Sequence, residues 1–329
     1  MQRLSLLPGL QFLSTALLVL SFQTVAARAQ DSTTTQSKKP AAADSEKANS
    51  EKAVADDDSK AAKKESAKKE KLKFVRVTKD EDKKPLALQT AVVTYKSDSK
   101  ENEGVEVTLI GAVHIAEKSY YKELNEQFKK YDALLYEMVM DPSQGVPEAN
   151  ERGSSPVSSV QVGMKDMLEL SFQLDEVDYK AKNFVHADMT PEEMFESMNK
   201  RKESVFKMLL RSVGSGLAMQ GSGKSNDLDV ISAMLSEDRA KGMRRAMATQ
   251  FEMMDGQMAA LQGEDGRSTL ITERNAKAFE VLREQIKAGK KKIGIFYGAG
   301  HFEDMHQRLI DDFRMQLVET KWMDAWDLK

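Results

Sequence analysis

The chain has only four histidines, and two of them stand in the same frame: Gly111-Ala112-Val113-His114 and Gly298-Ala299-Gly300-His301. Each follows an apolar run that reads as a strand and precedes a stretch that reads as a helix, "LIGAVHIAEKSYYKEL" (109–124) and "IFYGAGHFEDMHQRLI" (295–310). Imidazole suits metal ligation and proton transfer near neutral pH. Glycine and alanine ahead of it let the backbone turn sharply and let another group come close. One such histidine could simply cap a helix or fill a turn; two in matched frames argue for a shared site. Glu137 adds to it. In "LLYEMV" it ends an apolar strand, where burying a carboxylate is costly unless a cation or donor meets it.

Holding these residues together requires strands from both ends of the chain. "KFVRV", "ALQTAVVTY" and "GVEVTLIG" are β-rich runs separated by the turn-like "KDEDKK" and "SDSKENEG". A helix over Glu117–Lys130 follows, then a short strand in "DALLYEMV" ending near Glu137. "KKIGIFYG" supplies a late strand, a helix starts near His301, and the tail "FRMQLVETKWMDAWDL" adds one or two strands. The stretch between, about 160–290, reads as helical and rich in Met. This pattern predicts a mixed α/β (α+β) fold. Its central mixed sheet is built from two strand–loop–helix halves related by duplication, flanked by helices, with a Met-rich helical insertion. Ligands of such sheets bind at the C-terminal edge of the strands, which would bring both histidines to one cleft.

The paired GxxH motifs, the acid ending the next strand and "ITERNAKAFEVL" with Arg274 resemble the TraB/GumN/Tiki family, within the wider erythromycin-esterase and ChaN-like group. "FQLDEVDYKAKNFVHADMTPEEM" is similar to bacterial members, and the resemblance covers about residues 85–329. It implies a mixed α/β fold of two related halves with a site drawn from both. The Tiki branch is associated with metal-dependent proteolysis, and the pheromone-shutdown branch with limiting a secreted peptide. Carried over, it makes His114, His301, Glu137 and Arg274 the catalytic set, with Arg274 pairing a carboxylate or steadying an oxyanion. His114, His301 and Glu137 would form an open ligand shell for Mn, Co or Zn, leaving room for an activated water. No H-E-x-x-H occurs, so an ordinary zincin is excluded. The function expected is metal-dependent cleavage of a peptide or other acyl substrate. The competing reading is a non-catalytic protein that sequesters peptide or haem in the same cleft.

Other residues read as structural. His186 precedes Thr190-Pro191-Glu192-Glu193, a helix start with a hydroxyl cap and acids in the first turn. Asp188 orients His186 or that helix. His306, five residues after His301, is expected on the surface. "AMQGSGKSND" has Ala218 where a phosphate loop needs its first glycine, so it reads as an interhelical loop. Methionines in "MFESMNKRKESVFKMLL" and "AMLSEDRAKGMRRAMATQFEMMDGQMAAL" read as core filling, or as an adaptable binding cap.

Composition narrows the rest. The absence of cysteine removes thiol catalysis, disulfides and thiolate metal sites. A net charge of −3 gives no reason to expect nucleic acid. Residues 1–29 carry Arg3, an apolar run from Leu10 to Phe22 and Ala27-Arg28-Ala29, the pattern of a cleaved secretory signal. Ser14, Thr15 and Ser21 interrupt that run, which argues against a stable membrane anchor. Residues 30–72 are mostly Lys, Ala, Ser, Glu and Asp, unable to offset their ordering entropy, and read as a disordered spacer. The expected product is an exported chain with its TraB/GumN-like domain at 73–329.

Overall fold

The computed structural model describes residues 72–146, 167–203, 236–254 and 266–329. The signal, almost all of the spacer and the phosphate-loop-like segment lie outside them. Strands β1 (Val75–Lys79), β2 (Pro85–Ser97) and β3 (Glu106–Ala112) form an antiparallel start, with β1 and β3 lying end to end along one side of β2. After β3 come β4 (Ile115–Ala116), α1 (Lys118–Phe128) and β5 (Ala133–Tyr136). Next are β6 (Ser171–Phe172), the single turn α2 (Gln173–Glu176), β7 (Phe184–His186), α3 (Pro191–Lys200) and α4 (Arg239–Met254). The last part runs through α5 (Arg274–Lys287), β8 (Lys292–Gly298), α6 (Phe302–Asp311) and β9 (Met315–Asp327).

The fold is α/β. β3, β8, β5 and β7 lie side by side and parallel, and β9 closes the antiparallel end by pairing with the other side of β2. Both faces of the sheet are covered, as parallel strands require. Ile110, Leu134 and Phe296 meet Tyr121, Leu124 and Phe128 of α1 and Met243 and Met247 of α4. Leu109, Leu135 and Ile295 meet Phe279 and Leu282 of α5 and Phe302 and Met305 of α6. Each helix turns one apolar stripe inward: α1 buries Tyr120, Tyr121, Leu124 and Phe128, at helical spacing. Met243 and Met247 are therefore core filling.

One expectation about the elements needs correction. The stretch read as helical between 160 and 290 contains β6 and β7, strands of two and three residues. Runs that short carry no periodicity, and their neighbours specify them. The tail forms one 13-residue strand. The cap of α3 is as expected: Thr190 Oγ1 accepts from Glu193 N–H, and Glu193 Oε2 accepts from Thr190 N–H at 2.9 Å.

Candidate functional site

The two GxxH segments end neighbouring parallel strands, with Gly111 opposite Tyr297 and Ala112 opposite Gly298. Close approach explains the first glycine: a Cβ on Gly111 would stand 3.0 Å from the Ala91 carbonyl and 3.3 Å from Thr90 Cβ. Two α1 tyrosines hold the segment from below. Tyr120 donates to Gly111 O at 2.6 Å and Tyr121 to Val113 O at 2.9 Å. Beyond the strands the two segments diverge, so their likeness is confined to the strand ends. His114 sits in a bend leading to β4 and is exposed, whereas His301 closes a 3₁₀ turn (Ala299–His301) and is 3% exposed.

Glu137 follows β5, whose ladder its N–H extends by bonding Phe296 O at 3.1 Å. Its carboxylate receives two donors: Arg274 Nη2 reaches Oε1 at 2.7 Å and Gly298 N–H reaches Oε2 at 2.6 Å. A Cβ on Gly298 would lie 3.2 Å from that Oε2, so glycine is what lets the acid reach the β8 backbone. Arg274 opens α5 directly after a π-turn over Thr269–Glu273, a distortion frequent at functional sites. It is 2% exposed and grips Asp188, two residues beyond β7, with Nε to Oδ1 at 2.9 Å and Nη2 to Oδ2 at 2.5 Å. Four neighbouring parallel strands thus deliver His114, His301, Glu137 and Asp188 to one C-terminal edge, and α5 places Arg274 between the acids.

Burial alone would raise the pKa of Glu137. Arg274, the two histidines and the Gly298 N–H more than offset it and hold it at about 2. For Arg274, burial works against the charge, but Asp188 and Glu137 overcome it and raise the pKa further. Burial pushes His301 down to about 4 despite the pull of Glu137. His114 is exposed as a residue, yet burial of its imidazole lowers its pKa as well, against the pull of Glu137. Near neutral pH the carboxylate is ionised and both rings are neutral.

The hydrogen-bond pattern fixes the His301 tautomer. Asn275 Nδ2 donates to His301 O at 3.1 Å and to Asp304 Oδ2 at 2.8 Å, so its Oδ1 must be the acceptor for His301 Nδ1 at 2.6 Å. The Nε2 lone pair then faces Glu137 Oε1 at 3.5 Å. Two acceptors oppose each other there, beyond the length of a good hydrogen bond. His114 stands at the same edge but makes no ring hydrogen bond with any described residue. No three acid or imidazole groups among the described residues gather at metal-ligand distance.

Of the expected set, the structure joins His301, Glu137 and Arg274 directly and leaves His114 beside them. Arg274 takes the carboxylate-pairing role of the two proposed for it, since its fork is committed to Asp188 and Glu137. Asp188 orients Arg274, through a strand too short to read. Asn275 is a further site residue that the sequence marks only by its place next to Arg274. His186 is structural, its Nε2 bonded to Met138 O at 2.7 Å.

His306 is not a surface residue. It is half-buried, bonded through Nδ1 to Tyr95 OH at 2.7 Å and packed near Phe74, because α6 lies flat on β2 rather than turning that side to solvent. His306→Ala is therefore expected to cost about 1–3 kcal/mol by stranding the Tyr95 hydroxyl, with any turnover unchanged. A urea midpoint identical to the parent's would refute this.

A groove of about 380 Å³ between α3 and α5 is lined by paired charges such as Glu193 with Lys277, and by none of the site residues above. No helix among the described residues is long and apolar enough to cross a membrane. No family model, curated protein or solved structure matches the chain.

Proposed function

We propose that the chain is an exported hydrolase of the TraB/GumN/Tiki kind, cleaving a peptide or other acyl substrate with a divalent ion, Mn, Co or Zn, at the strand edge. The observation that carries this reading is the opposition of the His301 Nε2 lone pair and the Glu137 carboxylate. Both are already in the protonation state that metal ligation needs. As proton acceptors they are weak, since a base is most effective with a pKa near the working pH. The donor set, imidazole and carboxylate, fits a divalent ion of borderline softness. His301 and Glu137 would hold it, and His114, whose ring makes no competing bond with any described residue, would turn in as the third ligand. Such an ion supplies Lewis acidity and a water of lowered pKa. Arg274 keeps Glu137 ionised and aimed, Asp188 holds Arg274, and Asn275 keeps the Nε2 lone pair outward.

The deciding experiment is metal analysis of the purified protein, followed by peptide cleavage before and after chelation with Mn, Co and Zn returned separately. Expected are a bound divalent ion and activity lost on chelation and restored by one of the three. A protein that takes up none of them and cleaves nothing overturns the hydrolase reading, leaving a cleft that sequesters peptide or haem.

A further inference from the structure

Among the described residues the only strand that β9 pairs with is β2, so it is an edge strand of the sheet; near its C-terminal end Ala325 O accepts from Glu117 N–H at 2.9 Å. At 13 residues it is long for an edge, and such a strand offers unpaired backbone groups to another chain. Leu317 and Val318 on it are 38% and 49% exposed, adjacent members of the small set of exposed large apolar residues. Glu319 and Lys321 are exposed on one face, with Lys321 Nζ 2.9 Å from Glu319 Oε2. On the other face Trp322 carries the Arg76 guanidinium 4.0 Å from its ring centre.

We propose that β9 is the dimerisation edge of this protein, pairing antiparallel with β9 of a second copy about a two-fold axis at Thr320. The partner is a second copy because the stretch complements itself. Centred on Thr320, Glu319 of each copy faces Lys321 of the other, Thr320 faces Thr320, and Val318 faces Trp322. Opposite charges, Thr–Thr and aromatic–β-branched pairs are the favourable cross-strand combinations. Shifting the axis to Glu319 or Lys321 puts like charges opposite, so the charges select one register. The ladder to β2 shifts at Thr94/Tyr95, leaving Val318 as an extra residue between Glu319 and Leu317. That bulge ends the matched run at 318–322. The dimer leaves the C-terminal strand ends free, and it stands whether or not the chain is a hydrolase.

Sedimentation of the full chain across a concentration series tests it. The parent is expected to pass from monomer to dimer. Glu319→Lys and Lys321→Glu each place like charges across the axis and should weaken association roughly tenfold or more. Mixing the two variants pairs an all-Lys with an all-Glu edge and should restore a heterodimer. Since the chain has no cysteine, Thr320→Cys should also give a disulfide-linked dimer on oxidation, and Gln316→Cys should not. A parent monomeric throughout, a dimer that neither reversal weakens, or variants that fail to rescue each other overturns the proposal.

Discussion

Arg274→Met is expected to lower the unfolding free energy by about 3–5 kcal/mol, the cost of leaving a buried charge without its partner. Arg274 is 2% exposed and Asp188 1%, so neither has water to fall back on. Methionine fills much of the space but leaves the Glu137 and Asp188 carboxylates buried on either side of an apolar side chain. The two acids then repel each other and must take up protons or open the strand ends. Adding Asp188→Asn to Arg274→Met should recover part of the loss, because one uncompensated charge is removed. Urea unfolding of the three proteins measures both effects. A loss below about 1 kcal/mol for the single variant, the value of an exposed pair, would mean that the cluster is hydrated and not a buried network.

The same cluster contributes to the acid sensitivity of the protein. His301 is held at about 4 in the fold against its usual 6.5, so between those values the unfolded chain binds the extra proton and the native one does not. Stability from this group is complete above about 6.5 and is lost as pH falls towards 4. Glu137, held at about 2 against its usual 4.5, contributes above 4.5 and loses its contribution as pH falls towards 2. The two windows follow one another, so this cluster's loss of stability starts on the histidine and continues on the acid, alongside His114 and His306, whose pKa values burial also lowers.

The parts of the site that were legible in the sequence are those where chemistry and backbone geometry coincide. His114 and His301 were readable because glycine, alanine and histidine at a strand end leave few alternative uses. Glu137 was readable because a carboxylate closing an apolar strand needs a counter-charge. The main strands and helices followed from the period of their buried residues, as in α1 and β8. Asp188 was misassigned because β7 exists only through its pairing with β5, and three residues carry no pattern of their own. His306 was misplaced for a related reason: five residues along a helix from His301 says which way a side chain points, but not that β2 lies beneath it. The difference between the histidines, one exposed and one buried, depends on β4 against a 3₁₀ turn, which the shared motif conceals.

On the proposed hydrolase reading, Glu137→Gln should reduce turnover on the order of 100-fold, the upper scale of disturbing the groups that support a metal site. The loss has two routes. The amide removes the negative charge that faces His301 Nε2, and with it half of the directly opposed donor pair. It also changes what the neighbours meet. In the parent, Oε1 accepts from Arg274 and Oε2 accepts from Gly298 N–H. Glutamine can satisfy only one of them, because its NH₂ turns a donor towards the other. One buried donor is stranded, at about 1–3 kcal/mol, so the variant is less stable as well as less active. The two effects separate when turnover is measured per folded molecule, well below the unfolding midpoint, with Mn, Co or Zn in excess. If the charge matters only for packing, excess metal and folded protein should bring turnover back to the parent value. If it holds the ion, turnover stays low while Arg274, Asp188 and the fold remain in place. Full activity in folded Glu137→Gln would remove Glu137 from the chemistry and leave His301 and His114 to account for it.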